Sequence, residues 1–270
     1  MSVAVVQFPG VNCEDETLRA LRRAGLDTEL FRWTRPAHEL AAFDAYVLPG
    51  GWSYQDRVRA GALAAKDPLL ESLAQEAAAG KPVLGICNGA QVLVEAGLVP
   101  GGDGVEMALA RNRMDARSGY YARWVWCRVE EGPCLFTRAL APGALLPLPV
   151  AHGEGRFTTA RAAAMQALLA AGQLPLRYAG PDGTPAGEFP DNPNGSACAA
   201  AAVCNSAGNV LALMPHPERA IDLGTLARGL GGEWGVRRDQ ALERGDNAPF
   251  EPGPGLAIFE GLRAHLAGVR

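Results

Sequence analysis

Lysine is almost missing from this 270-residue chain: Lys66 and Lys81 are the only two, and arginine makes up the rest of its 25 basic residues. Against 29 acidic residues these leave a net charge of −4, so no diffuse basic surface exists to hold phosphates and no nucleic-acid partner is expected. Closely spaced cysteines are missing too. None of the gaps between Cys13, Cys87, Cys127, Cys134, Cys198 and Cys204 has the spacing of a zinc clip or a redox pair, and no metal is expected. No apolar run approaches the ~18 residues of a membrane span, and no basic leader precedes the first strand. The expectation is a soluble cytoplasmic protein with reduced thiols and no membrane partner.

What is present is 48% hydrophobic and 20% charged, an ordinary globular composition that excludes disorder. The first third alternates short apolar runs with amphipathic stretches, which is the signature of a parallel sheet covered by helices. Strands are expected at 3–8, 28–31, 45–48 and 82–86. Helices are expected at 14–24, with acids first and arginines last, and from Asp67-Pro68 to Gly80, and a further helical stretch at 91–96. Beyond Trp124 the pattern turns towards β, with strands at 124–129, 144–149, 174–178 and 210–213 and a helix at 160–171. The Pro- and Gly-rich stretch 180–196 reads as a long loop. The stretch 224–255 reads as irregular, ahead of a final helix at 256–266. No repeat and no bare linker divides the chain, so 1–270 is expected to be one α/β domain, with a mixed, largely parallel central sheet, helices on both faces and an insertion at about 224–255.

Gly85-Ile86-Cys87-Asn88-Gly89 lies between a strand and a helix and has the form of a nucleophile elbow with cysteine in the serine position. Small residues two before and two after the nucleophile suit a tight turn. The helix that follows offers its N-terminal partial charge and free amides to an anion or an oxyanion. Taken alone, a cysteine is more often a core residue; the elbow reverses that weighting. A thiol nucleophile wants a base. Pro215-His216-Pro217-Glu218 supplies one downstream, with prolines holding the backbone extended so that Glu218 can orient the His216 imidazole. On its own that string is equally a plain loop. Leu48-Pro49-Gly50-Gly51-Trp52 ends another strand, and its adjacent glycines let backbone N–H groups approach a substrate oxygen, although Pro-Gly-Gly is also just a turn. Gln91, one helical turn after Cys87, points to the same mouth and can hydrogen-bond a polar substrate or simply face solvent.

Together these residues resemble the triad, or class I, glutamine amidotransferases, whose flavodoxin-like domain uses a cysteine elbow, a downstream His-Pro-Glu and a glycine-made oxyanion hole. The resemblance narrows to the glutaminase subunits of phosphoribosylformylglycinamidine synthases. It rests on Phe8-Pro9-Gly10-Val11-Asn12-Cys13, Trp52-Ser53-Tyr54, Arg59-Ala60-Gly61-Ala62-Leu63-Ala64-Ala65 and Leu109-Ala110-Arg111-Asn112. Pro149-Val150-Ala151-His152-Gly153-Glu154-Gly155-Arg156, Asn192-Pro193-Asn194-Gly195-Ser196 and Leu213-Met214-Pro215-His216-Pro217-Glu218-Arg219-Ala220 continue it in order along the chain.

The resemblance implies that Cys87 hydrolyses glutamine through a γ-glutamyl thioester, with His216 as general base and acid and Glu218 orienting it. It places Gly50, Gly51 and Asn88 at the oxyanion hole, and Gln91, His152, Gly153 and Glu154 near the glutamine. It implies no cofactor in this chain. The ammonia would pass to a synthetase subunit (PurL), bridged by a small subunit (PurS), and that synthetase would use ATP and Mg²⁺ to make formylglycinamidine ribonucleotide in purine synthesis. The alternatives are a class I amidotransferase of another pathway, a non-catalytic adaptor of the same fold and a peptide-cleaving cysteine hydrolase. Three departures stand out. Gln55 follows Ser-Tyr where the family commonly has glycine, which implies a differently shaped loop. Tyr120-Tyr121-Ala122-Arg123-Trp124 replaces a phenylalanine-rich strand entry, and the run at 224–255 is longer than usual.

Overall fold

Residues 3–6 are apolar and buried on both faces, as an interior strand of a parallel sheet must be. They form β1 (Ser2–Gln7). The computed structural model describes residues 1–102, 104–115 and 118–268. After β1 come α1 (Glu14–Arg23), β2 (Asp27–Arg32), β3 (Ala45–Leu48), α2 (Pro68–Ala78), β4 (Val83–Ile86) and α3 (Asn88–Glu95). The second half holds β5 (Met107–Ala110), β6 (Tyr121–Val129), β7 (Leu145–His152), β8 (Arg156–Thr159), α4 (Ala162–Ala170) and β9 (Leu176–Ala179). It closes with β10 (Ala200–Cys204), β11 (Val210–Leu213), α5 (Gly232–Arg244) and α6 (Leu256–Gly268).

Nine strands make one sheet in the order β2-β1-β3-β4-β11-β10-β9-β6-β7, while β5 and β8 pair separately. The first five are parallel neighbours, and the pairings from β11 outward to β7 are antiparallel. The sheet is therefore mixed. The order 2-1-3-4 reverses direction at β1, and right-handed crossovers on either side of that reversal put α1 and α2 on opposite faces. Register brings Leu48 beside Gly85 and Leu213 beside Ile86, so β3, β4 and β11 end level with one another. Their following loops must meet at one edge.

Local chemistry accounts for the helices. The acids Glu14, Asp15 and Glu16 open α1 and Arg22 and Arg23 close it, each matching the helix dipole. Asp67 caps α2 by accepting a hydrogen bond from Leu69 N at 3.0 Å, and Pro68 occupies the first turn, where its missing N–H costs nothing. The 180–196 loop contains no helix or strand. Buried asparagines fasten it: Asn192 Nδ2 donates to Ser196 O at 3.0 Å and Asn194 Nδ2 to Gly155 O at 2.8 Å. Among the described residues no helix is long and apolar enough to cross a membrane.

Four elements depart from the expected pattern. β10 is Ala-Ala-Ala-Val-Cys, a helix-favouring composition, yet all five residues are buried in mid-sheet where only small side chains fit between neighbours. β5 and β8 find each other across the intervening β6–β7 pair, a partnership that local sequence does not encode. The 224–255 stretch is not irregular throughout, because α5 occupies its centre. The inward positions of α5 are Gly235, Arg238 and Ala241, so its buried face carries no apolar stripe to read.

The Asp67 cap also receives the Tyr54 hydroxyl, at 3.0 Å, and so ties α2 to the segment after β3. Asp67→Ala should lower the urea midpoint by an amount equivalent to about 1–2 kcal/mol, and Asp67→Asn should restore most of it. Equilibrium urea unfolding of the three proteins checks this.

Candidate active site

The strand-to-helix turn at Cys87 forces an unusual backbone, φ 51 and ψ −104, on a residue that is not glycine. Close packing makes the turn possible, since any Cβ on Gly89 would overlap the Leu48 carbonyl of β3. Cys87 N donates to Leu213 O at 2.7 Å and Gln91 N to Cys87 O at 3.1 Å, so β11 and α3 both grip the strained residue. The thiol is 6% exposed and lies 3.7 Å from the Ala151 carbonyl at the end of β7.

His216 arrives from β11. The backbone around it is not extended, as the flanking prolines suggested: Pro217–Arg219 forms a 3₁₀ turn. An extended pair two residues apart would sit about 6.6 Å apart; the turn instead brings Glu218 Oε1 to 2.5 Å from His216 Nδ1. Both side chains are buried, and Nε2 has no hydrogen-bond partner. Burial alone would lower the His216 pKa. The Glu218 carboxylate and then the thiols of Cys87 and Cys13 reverse this and hold it well above the ordinary imidazole value. Gly50 lies between these groups, and a Cβ there would stand 2.8 Å from His216 Cε1, 3.1 Å from Cys13 Sγ and 3.5 Å from Cys87 Cβ. Glycine is required at 50 because the His216, Cys13 and Cys87 side chains converge on that point.

A cavity of about 270 Å³ opens over Cys87 and His216. Gly51, Gln91, His152, Gly153 and Glu154 line it as the sequence suggested. Gly50 and Asn88 stand behind the wall. Asn88 accepts from Ser53 N at 2.9 Å and donates to Gln91 Oε1 at 2.9 Å, and Gln91 Nε2 donates to Glu154 O at 2.6 Å. Gln91 therefore ties α3 to the segment after β7 and is not a solvated helix residue. Gly153 O accepts from Asn112 N at 2.9 Å. His152 is enclosed, and burial together with the charge of His216 lowers its pKa to about 3.

Sequence reasoning missed Cys13, Asp56, Tyr120 and Arg219, all of which line the cavity. Cys13 and Arg219 sit in quoted strings without a role; only the strand order shows that the loop after β1 meets the loop after β11. Arg219 Nη2 donates to Cys13 Sγ at 3.1 Å and Arg219 Nε to Glu16 Oε1 at 2.9 Å. Ligand atoms of Cys13, His216 and Glu218 lie within 4.8 Å of one another, a grouping that could hold a metal ion although no cysteine spacing signals it. Its His216–Glu218 hydrogen bond is the same one that a proton relay needs.

The family model for the CobB/CobQ-like glutamine amidotransferase domain matches residues 1–241. Subunit PurQ of phosphoribosylformylglycinamidine synthase from Methanothrix thermoacetophila is 49% identical over 98% of each chain. The chain belongs to the PurQ family of glutamine amidotransferases. The PurQ subunit from Thermomicrobium roseum is 48% identical over 88% of this chain and 93% of its own. A chain in the solved structure of PurLQS from Thermotoga maritima aligns over 98% of both chains with a TM-score of 0.73 and 29% identity. The match to the Methanothrix PurQ spans the 224–255 stretch, which is therefore not confined to this member of the family.

One PurQ-family position is resolved by the backbone. Gln55 adopts φ 60 and ψ 27, the left-handed conformation that glycine takes freely. A glutamine there costs roughly 1–2 kcal/mol in strain. Tyr54, Asp56 and Val58 share the positive φ. The turn places Asp56 in the cavity wall, where burial and then the neighbouring Glu154 push its carboxyl up to about 6, against the opposing bond from Asn88 Nδ2. A carboxyl whose folded pKa exceeds its unfolded value binds a proton more readily in the folded chain. Its ionisation therefore removes stability as pH rises from about 4 to about 6, and the loss is complete above that. Asp56→Asn, which keeps an oxygen for Asn88, should melt at a higher temperature than the parent at pH 8, and the gain should fade at about pH 4. Thermal melts across that range check the sign.

Proposed function

We propose that this chain hydrolyses glutamine at Cys87 and delivers the ammonia to a separate synthetase subunit. The observation that carries this is the buried line from Glu218 through His216 to the Cys87 thiol at the floor of a cavity large enough for an amino acid. With Nδ1 donating to Glu218, the ring offers Nε2 to the thiol as base. The thiol attacks the carboxamide carbon, and His216 passes the proton to the leaving nitrogen. Ammonia departs, a γ-glutamyl thioester remains, and water activated by the same ring releases glutamate. The amides of Gly51 and of Asn88, in the first turn of α3 where N–H groups lack intrahelical acceptors, would receive the oxyanion.

The partner in this reading is PurL, with PurS as a small bridging subunit, because relatives are named as PurQ and the structural neighbour is PurLQS. ATP and Mg²⁺ serve that partner, which would turn formylglycinamide ribonucleotide into formylglycinamidine ribonucleotide. This chain would need no cofactor of its own and would work in the cytoplasm.

Cys87→Ser should abolish amidine formation from glutamine in the assembled complex while leaving formation from saturating ammonium nearly intact, since the hydroxyl fits the turn but is a far weaker nucleophile. Loss of both activities with the complex still assembled would refute the division of labour, and no loss of either would favour the adaptor. His216→Asn should slow glutamine hydrolysis ~10²–10⁴-fold with little change in glutamine binding, read from single-turnover rates against KM.

A further inference from the structure

A second thiol stands beside the Cys87–His216–Glu218 line, and the reaction does not use it. Cys13, in the loop after β1, is only 2% exposed and borders the same space as Cys87 and His216. One ligand atom each of Cys13, His216 and Glu218 lies within 4.8 Å of the others. Cys87 flanks the same point: a Cβ on Gly50 would stand 3.1 Å from Cys13 Sγ, 3.5 Å from Cys87 Cβ and 2.8 Å from the His216 ring. Two sulfurs and an imidazole therefore face one another from three separate segments of the chain.

His216 gives an independent pointer to a ligand. Its side chain is buried, and Nε2 has no hydrogen-bond partner. Nδ1 is engaged by Glu218 Oε1 at 2.5 Å, so in the neutral ring Nδ1 carries the proton and Nε2 is a lone pair. A carboxylate on one ring nitrogen that frees the other is the arrangement carried by histidines that ligate zinc. Glu218 is thus the orienter of the ring and not a ligand itself. Cys13 Sγ is prepared in a comparable way, because Arg219 Nη2 donates to it at 3.1 Å, a bond that a metal-bound thiolate keeps. Sulfur and imidazole donors favour Zn²⁺, whereas Mg²⁺ prefers oxygen.

We propose that Cys13, Cys87 and His216 Nε2 together form a binding site for Zn²⁺, and that the bound ion switches glutamine hydrolysis off. Each thiol gives its proton to solvent as the ion binds, and a water from the cavity completes the tetrahedron. The ion then holds the sulfur of the nucleophile and the lone pair of the base at once, which makes it an inhibitor and not a cofactor. Cys13 is the residue that turns a two-residue contact into a three-ligand site. Binding of the ion does not depend on the glutaminase reading above; the inhibition rests on it.

The test titrates chelator-buffered Zn²⁺ into the assembled complex and follows glutamate release from glutamine, each protein being compared with its own zinc-free rate. Release should stop in the parent and return when excess chelator removes the ion. In Cys13→Ala the Zn²⁺ concentration for half-inhibition should rise at least ~100-fold, since even the outer partners of a metal site typically cost about 10- to 100-fold in affinity. Cys13→Ser should shift in the same direction, with size-exclusion chromatography reporting that the complex is intact. Co²⁺ serves as a spectroscopic probe: the parent should show a thiolate-to-cobalt absorption band, and the band should weaken in Cys13→Ala and in Cys87→Ser. Equal zinc sensitivity in the parent and both Cys13 variants would overturn the proposal, because the ion would then be poisoning Cys87 and His216 alone. So would a parent that zinc does not inhibit, or a cobalt band unchanged by removal of Cys13. A parent that shows the band yet never releases glutamate would support the site and refute the glutaminase reading instead.

Discussion

The contact between Gly89 and the Leu48 carbonyl sets how near α3 approaches β3, and the rest of the site is arranged around that approach. A helix one side chain further out would leave the Cys87 turn without support. The turn holds a non-glycine residue at φ 51, a conformation worth roughly 1–3 kcal/mol of strain, and bonds from Leu213 and Gln91 keep it there. The same close approach lets Asn88 reach Ser53 and Asp56, so the glycine-rich segment after β3 and the helix after β4 are held as one piece.

Parallel pairing does the remaining work. Because β1, β3, β4 and β11 run the same way, the loops that follow them converge without any long excursion of the chain. The outcome is a cavity whose walls differ in charge. Cys13 and Arg219 come from the loops after β1 and β11, whereas Asp56 and Glu154 come from the segments after β3 and β7. Burial and the neighbouring Glu154 disfavour the charged Asp56, and proteins tolerate such groups where a ligand or a reaction requires them.

Much of this was legible in the sequence, for reasons that are local. Apolar runs of four residues, an Asp-Pro helix start and a glycine pair around a cysteine each follow from short-range chemistry, and each element appears within a few residues of its expected place. The parts that were hidden depend on what lies far away. Ala200–Cys204 becomes a strand because its neighbours leave room only for small residues, overriding the helical preference of alanine. α5 shows no stripe because an arginine, Arg238, is one of its three inward residues. Cys13 and Asp56 acquire meaning only once strand order brings the loops after β1 and β3 against His216 and Asn88. The His216–Glu218 contact was foreseen, but through an extended backbone; a 3₁₀ turn makes it.

The position of β11 bears on the order in which the site comes into being. Its pairing with β4, Val210 beside Val83, carries His216 to Cys87, and the same strand supplies the Leu213 carbonyl that receives Cys87 N. During synthesis β4 emerges well before that late strand, so a nascent chain lacks both His216 and the Leu213 carbonyl that holds the Cys87 turn. Closing the β4–β11 ladder is a long-range event of the kind that comes late in folding. The Cys87–His216 pair is thereby completed only when the sheet is nearly whole, and a truncated product ending ahead of β11 would lack it however well its first half folded.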